Sequence, residues 1–194
     1  MKHTRTAAMT AAVPAVLLGL SATTATAAPA EIEHWTFTDS HIEQVFHEED
    51  GWCEDEDGND LIPFDVLWTE NSYGNFRGVM RNGVFYGQST LHVEQTWTNV
   101  ENDKSFTSVW QGIDKDQLVE PQDDGTIIVT ILYTGPTQYY DNDGNRLFKD
   151  LGRTFSTIHL DANYDFIEFI SADSKGHFET MDRDFCADLM NFIG

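Results

Sequence analysis

Hydrophobic and polar residues alternate along most of the chain with a period of two, the pattern of β-strands that bury one face. In one segment Leu91, Val93 and Trp97 alternate with His92 and Glu94. Further runs rich in Thr, Val, Ile and aromatic residues follow the same pattern: HIEQVFH, IPFDVLWTE, NFRGVMRNG, GVFYG, KSFTSVWQG, GTIIVTILYTG, RTFSTIHLD and DFIEFISAD. We therefore expect a mainly β protein.

Turn-forming dipeptides separate these runs at fairly regular intervals: Asp57-Gly58, Asn82-Gly83, Asp124-Gly125, Asp143-Gly144 and Lys175-Gly176. Short Asp-Gly and Asn-Gly linkers favour antiparallel hairpins. We predict a single antiparallel up-and-down β-barrel of about eight or nine strands, because closure removes the exposed edges of an open sheet. A two-sheet β-sandwich is the alternative.

One segment has helical rather than strand periodicity, MDRDFCADLMNFIG at residues 181–194. Asp182 or Asp184 is placed to cap its first turn. Phe185, Leu189 and Ile193 recur at helical spacing on one face, together with Phe192. The pattern predicts a short C-terminal helix packed over the barrel.

The first 27 residues have the layout of a secretory signal peptide. Lys2 and Arg5 precede an apolar run over 7–20, and Ala25-Thr26-Ala27 forms a small-residue cleavage site. The apolar run is too short for a membrane anchor and contains Pro14. We therefore predict a signal peptide at 1–27, a single β-barrel domain at 28–194, and a secreted protein that is free of the membrane after cleavage.

The chain is strongly acidic, and cleavage would change its formal charge from −22 to −24, because Lys2 and Arg5 leave with the signal. A surface of this sign repels nucleic acid and anionic lipid, so neither is expected as a partner. The acidic residues are spread over turns and strands, which is typical of a solvated exterior. The oligomeric state does not follow from the sequence.

Only two cysteines occur, Cys53 and Cys186. In an exported chain an even pair predicts a disulfide, here one that ties the terminal helix to the first hairpin. Two separate thiols or a catalytic cysteine are the alternatives, and they are disfavoured because free thiols seldom persist in an oxidising compartment.

The stretch HEEDGWCEDEDGND at 47–60 contains eight carboxylates. With Gly58 at the sixth position of a calcium loop, Cys53 and Phe64 would fall on the end ligand positions, and neither can bind the ion. We therefore interpret the stretch as a solvated hairpin beside the disulfide and predict no metal site, with weak calcium binding by the acidic turns as the alternative.

Aromatic and histidine side chains within the strands are the candidate ligand-binding residues: Trp68, His92, Trp97, Trp110, Tyr133 and His159. Turned inward, they would line a cavity for a flat or apolar molecule. A filled barrel core is the competing interpretation, because an eight-stranded barrel is only wide enough for side chains or one ligand. The sequence contains no hydrolase, phosphate-loop or dinucleotide motif, so we predict no cofactor.

Three functions remain open on this basis. The first is a secreted, non-catalytic protein that binds a small apolar or aromatic ligand in the barrel. The second is a cyclase-like or coupling-guide enzyme that uses the cavity, which would require His92, Glu94, His159 or Glu168 to face it. The third is an extracellular interaction protein that acts through its acidic surface.

Several segments resemble a family of small secreted proteins of unknown function from high-GC Gram-positive bacteria. The matching features are Cys53, the Thr98-Asn99 strand end, and the segments at 123–135, 140–155 and 182–189. The closing Asp184-Phe185-Cys186 is the most specific of them. The resemblance covers most of the chain after the signal and implies a lipocalin-like or dirigent-like barrel with one disulfide; it implies no activity.

Overall fold

A computed structural model describes residues 32–47, 52–81 and 83–194, so the predicted signal peptide at 1–27 lies outside the described residues. Within them the chain forms seven strands and one helix: β1 (Ile32–Val45), β2 (Val66–Arg81), β3 (Val84–Asn99), β4 (Ser105–Pro121), β5 (Ile127–Tyr140), β6 (Arg146–Leu160), β7 (Phe166–Phe178) and α1 (Phe185–Ile193). No helix of this part of the chain is long and apolar enough to cross a membrane.

The seven strands form one antiparallel sheet in the order β1 to β7, so each strand pairs only with its neighbours in sequence. This confirms a mainly β, up-and-down fold with a C-terminal helix. The two-sheet sandwich is wrong, because all seven strands belong to one sheet. The strands are fewer and longer than predicted: IPFDVLWTE and NFRGVMRNG contribute to the single 16-residue strand β2, since the intervening residues 71–74 stay in the ladder.

The sheet is not closed, so the predicted barrel is not observed. β1 pairs only with β2 and β7 only with β6, and β1 and β7 do not contact each other. The β7 edge is protected against pairing with other strands in another way. Two register shifts interrupt the pairing of β7, and charged residues such as Glu168, Asp173 and Lys175 lie along it. Irregular, charged edges resist pairing with other strands, so closure is not the only means of protection.

A row of closely packed positions crosses the middle of the sheet, one from each of the strands β2 to β7. We call it the glycine row, and its members are Gly74, Leu91, Gly112, Gly135, Gly152 and Gly176. A Cβ added at Gly112 would lie 2.2 Å from the carbonyl oxygen of Thr134. Glycines at such positions let neighbouring backbones approach closely. They also allow a sheet to bend there.

α1 packs on one face of the sheet near the hairpin that joins β3 to β4. Asp184 caps it, accepting a hydrogen bond from the backbone N–H of Ala187 at 2.9 Å. Leu189 and Ile193 are fully buried against Phe106 and Val66. Burial of a large apolar side chain contributes about 2 kcal/mol, so this small core holds the helix in place.

The predicted disulfide between Cys53 and Cys186 is confirmed. The two Cα atoms are 5.6 Å apart and the sulfurs are bonded. Cys53 lies in the loop between β1 and β2, and Cys186 lies in the first turn of α1. The bridge therefore ties the helix to the first loop, as the sequence predicted.

Candidate functional site

The two faces of the sheet differ in what covers them. The helix face, on which α1 packs, presents Trp97, Phe106 and Tyr139. The opposite face presents the residues that alternate with these, among them Tyr73 and His92, whose rings stack 4.8 Å apart. Alternation along each strand assigns every other residue to one face or the other.

Four of the six predicted ligand-binding residues lie on the helix face: Trp68, Trp97, Trp110 and Tyr133. Trp68 and Trp97 form a directly opposed pair, while Trp110 and Tyr133 lie farther along the strands with ring centroids 6.3 Å apart. The structure therefore brings these aromatic residues to one face in two pairs.

The other two predicted residues, His92 and His159, lie on the opposite face. His159 is 3.2 Å from the carboxylate of Glu168 and 2.8 Å from the hydroxyl of Thr126. These contacts fix its ring at the sheet surface. Neither histidine shares a face with the tryptophans, so the six residues do not form one site.

Trp68 and Trp97 belong to the core under α1. The Trp97 ring packs edge-on against Phe185 at 5.0 Å and is buried. The indole N–H of Trp68 is buried and has no hydrogen-bond acceptor among the described residues. An unsatisfied buried donor of this kind costs about 1 to 3 kcal/mol. These two residues stabilise the helix end of the sheet rather than line an open cavity.

Beyond the glycine row, three aromatic rings stack along β1, β2 and β3 on the helix face. The Trp35 and Phe76 centroids are 4.2 Å apart, and Phe76 stacks on Phe85 at 6.2 Å. Phe85 also covers Gly78, and Phe76 covers Gly87. Such rings compensate for the missing glycine side chains. Sequence analysis missed this stack, although Trp35 and Phe76 occupy alternating positions typical of a half-buried strand.

Two carboxylates of β4 extend this surface. Asp114 accepts a hydrogen bond from the backbone N–H of Ser89 at 2.7 Å, and Asp116 accepts one from Gly87 at 2.6 Å. Burial raises the pKa of Asp116 to about 6, and the charge of Asp114 adds to the shift. The carboxyl of Asp116 can therefore gain or lose a proton in mildly acidic solution.

Tyr133 lies beside this carboxylate pair, directly opposite Asp114 in the ladder. Burial raises the pKa of Tyr133 to about 12, and the charges of Asp114 and Asp116 raise it further in the same direction. The phenol therefore stays protonated at neutral pH and is able to donate a hydrogen bond. The alternation of Asp114 and Asp116 with Lys115 was the sequence signal for this pair, but it does not reveal burial.

The acidic turns use their carboxylates internally. Asp55 accepts hydrogen bonds from the backbone N–H groups of Asp57 and Asn59 and from the Asn59 amide. Asp141 is bonded in the same way within the turn that ends at Asn145. The Asn side chains lower the pKa of both aspartates. Among the described residues, no group of three or more His, Cys, Asp or Glu side chains is arranged to hold a metal ion.

Two shallow cavities occur near the far end of β2. One, of about 460 Å³, lies at the β1–β2 edge and is lined by His34, Trp35, Thr36, Asn75 and Phe76. The other, of about 150 Å³, is lined mainly by opposite-face residues of β2, β3 and β4, which include three cationic side chains.

Comparison of the chain with protein-family models, with curated proteins and with solved structures finds no match. The resemblance to a family of small secreted proteins therefore stays a prediction.

Proposed function

We propose that the chain is a secreted, non-catalytic protein that binds a small molecule with a flat aromatic part on the helix face of its sheet. One observation carries the proposal. Beyond the glycine row the half-buried residues Trp35 and Phe76 lie on this face, and the half-buried ring of Trp110 covers Gly112 in the row itself, while α1 contacts only β3 and β4. No other helix or strand of the described chain packs across them.

The polar groups in the same region favour a particular kind of ligand. Asp114 and Asp116 are hydrogen-bond acceptors, and at neutral pH they repel an anion. Tyr133 can donate a hydrogen bond. A neutral phenol or an aromatic amine fits these groups better than a fatty acid, because its ring can stack on Trp35 or Phe76 while its donor meets a carboxylate.

Enclosure of the ligand, as in a lipocalin-like barrel, is part of the proposal and goes beyond the observed open sheet. The glycine row supports it, because glycines at such positions let a sheet curve around a small molecule with less distortion. Closure would require β1 and β7 to approach each other.

Tryptophan fluorescence tests the proposal. We expect a neutral phenol, but not a fatty acid, to change the emission in a saturable manner. Trp35→Leu removes the ring that stacks on Phe76 and should weaken binding at least tenfold. Trp52→Phe is the matched control, because Trp52 packs against Phe185 beside α1, at the other end of the strands. If no phenol, aromatic amine or terpenoid changes the emission, the proposal is wrong.

The geometry gives less support to the cyclase-like or coupling-guide enzyme. His92, Glu94, His159 and Glu168 all lie on the opposite face. They are separated from the aromatic residues by the sheet itself. The third function, an interaction protein acting through its acidic surface, stays a prediction; binding to a basic partner that weakens with ionic strength would support it.

A further inference from the structure

Three cationic side chains converge on the smaller cavity of the opposite face, in a chain that has only 11 lysines and arginines against 33 acidic residues. This cavity of about 150 Å³ is lined by Arg77, Arg81 and Lys115, together with Val79, Tyr86, Gly87, Gln88 and Asp116. The Asp116 carboxylate accepts a hydrogen bond from the backbone N–H of Gly87. Such a concentration of positive charge is unexpected in a protein of this composition.

Sheet register places these groups side by side. Arg77 is directly opposite Gln88, and Gln88 is directly opposite Lys115, so three adjacent strands contribute one polar row. Neighbouring strands are about 4.8 Å apart, which lets the long side chains of Arg77 and Lys115 reach a common point above Gln88.

Arg81 joins this row through an aromatic ring. It lies four residues beyond Arg77 on the same face of β2, and its guanidinium carbon is 5.3 Å from the centroid of Tyr86. Tyr86 is opposite Val79, which stands between the two arginines. The cation–π contact therefore holds the Arg81 guanidinium toward the cavity.

None of the three cations has a carboxylate partner among the described residues. The ion pairs of this part of the chain join other side chains, for example Arg183 with Asp188 and Lys175 with Asp173. Like charges held close together repel one another, and an acidic chain has many carboxylates that could neutralise them. Asp116 also lies in the lining, but it forms no ion pair with any of the three cations, so their positive charge favours an external anion.

We propose that this cavity binds the phosphate group of a small molecule, with Arg77, Arg81 and Lys115 as its charged ligands and Gln88 as a neutral donor. Two guanidinium groups and one ammonium match a tetrahedral dianion. Each guanidinium can donate two parallel hydrogen bonds to the phosphate oxygens, and the lysine ammonium adds a compact positive charge. The net charge of −22 disfavours nucleic acid or an anionic membrane as the source of the phosphate.

Thermal unfolding of the protein, with added sodium phosphate as the probe, tests this assignment. We expect millimolar phosphate to raise the melting temperature in a saturable manner, whereas sodium chloride at matched ionic strength does not. Phenyl phosphate should bind at least as tightly if the natural ligand is an ester, because its ring can contact Tyr86. Weaker binding of phenyl phosphate than of inorganic phosphate identifies the free ion as the ligand and equally supports the site.

Charge-removing variants make the test specific. Arg77→Gln and Lys115→Gln should each weaken phosphate binding at least tenfold. Lys149→Gln is the matched control, because it removes one positive charge from the same face at the helix end of the sheet. Isothermal calorimetry on the folded variants keeps the test independent of their stability. Equal stabilisation by chloride, or unchanged binding by the Arg77→Gln, Lys115→Gln double variant, would overturn the proposal.

Discussion

Gly112 and Gly135 face each other between β4 and β5 so closely that neither has room for a side chain. A Cβ on Gly135 would lie 2.6 Å from the Cα of Gly112 and 2.3 Å from the carbonyl oxygen of Gln111. The contact lies at the centre of the glycine row. The close approach of β4 and β5 here depends directly on the absence of side chains at both positions.

Alanine substitution in this row should therefore be strongly destabilising. Gly135→Ala adds both a backbone clash and a strained conformation, because φ of Gly135 is +141°. Gly125→Ala is the matched control: φ is +89°, but nothing lies within 4 Å of the added Cβ. We expect about 1 kcal/mol for the control and at least about twice that for Gly135→Ala in urea unfolding. Equal losses would show that the close approach is unimportant.

Asp116 should make stability fall as the pH rises through mildly acidic values. Its pKa is about 6 in the folded protein and 3.8 in the unfolded chain. Between these values the folded state binds more protons, so the free energy of unfolding decreases with rising pH, by at most about 3 kcal/mol. Asp116→Asn should remove this decrease, and the difference between wild type and variant in urea unfolding at pH 4 to 7 measures it.

Asp141 provides the control of opposite sign. Its pKa is lowered by hydrogen bonds from Asn145, so its contribution is present above pH 3.8 and is lost as the pH falls through its folded pKa. Asp141→Asn should therefore lower stability by a constant amount above about pH 3.8, and the difference from wild type should disappear only at the acidic end. A wild-type slope between pH 4 and 6 that persists in Asp116→Asn would contradict the assignment.

Removal of the disulfide should leave a folded but less stable protein. The bridge closes a loop across 133 positions of sequence, and loss of a native disulfide typically costs about 2 to 5 kcal/mol. We expect the Cys53→Ala, Cys186→Ala double variant to keep the far-ultraviolet spectrum of the sheet and to melt at a lower temperature. Reduced wild-type protein should behave in the same way. An unchanged melting temperature would show that the bridge contributes nothing to stability.

The ion pair between Arg183 and Asp188 should matter more than an exposed one. Asp188 is buried, receives a hydrogen bond from Nε of Arg183 at 2.8 Å, and lies beside the stacking contact of Arg183 with Phe148 at 3.9 Å. Arg183→Met leaves a buried carboxylate without its partner and should cost about 3 kcal/mol. Lys175→Met breaks only the exposed pair with Asp173 and should cost less than about 1 kcal/mol in the same urea titration. Similar costs would contradict this view.

Local signals account for the parts of the fold that the sequence predicted correctly. An aspartate before an apolar helical repeat, Asp182 or Asp184, predicted the start of α1, and the structure shows that Asp184 is the cap. The even cysteine count predicted the bridge. Closure of the sheet could not be predicted in this way. It depends on whether β1 meets β7, which is decided by the summed bend and twist of every strand between them.

The sequence was likewise insufficient to predict which candidate site residues lie close together. Alternation marked Trp110, Tyr133 and His92 as strand residues, but it could not say that the first two share a face or that His92 lies on the other, because the face of each strand follows from the pairing register. The glycine row becomes visible only when that register is known. The cluster of Arg77 and Lys115 likewise joins residues that are distant in sequence and adjacent only through β3.

Sequential pairing of the strands has a consequence for the order of folding. Five of the six connections between consecutive strands are loops of two to five residues, whereas the β1–β2 connection spans 46–65. The short loops bring their strands together at little entropic cost, so these hairpins can form early. The core around Val66 and Phe106, however, is completed only when Leu189 and Ile193 arrive from the end of the chain. We therefore expect the sheet to form early and the docking of α1 to be the slow step. Until it is complete, apolar surface on the helix face is exposed, and the chain is then most prone to aggregate.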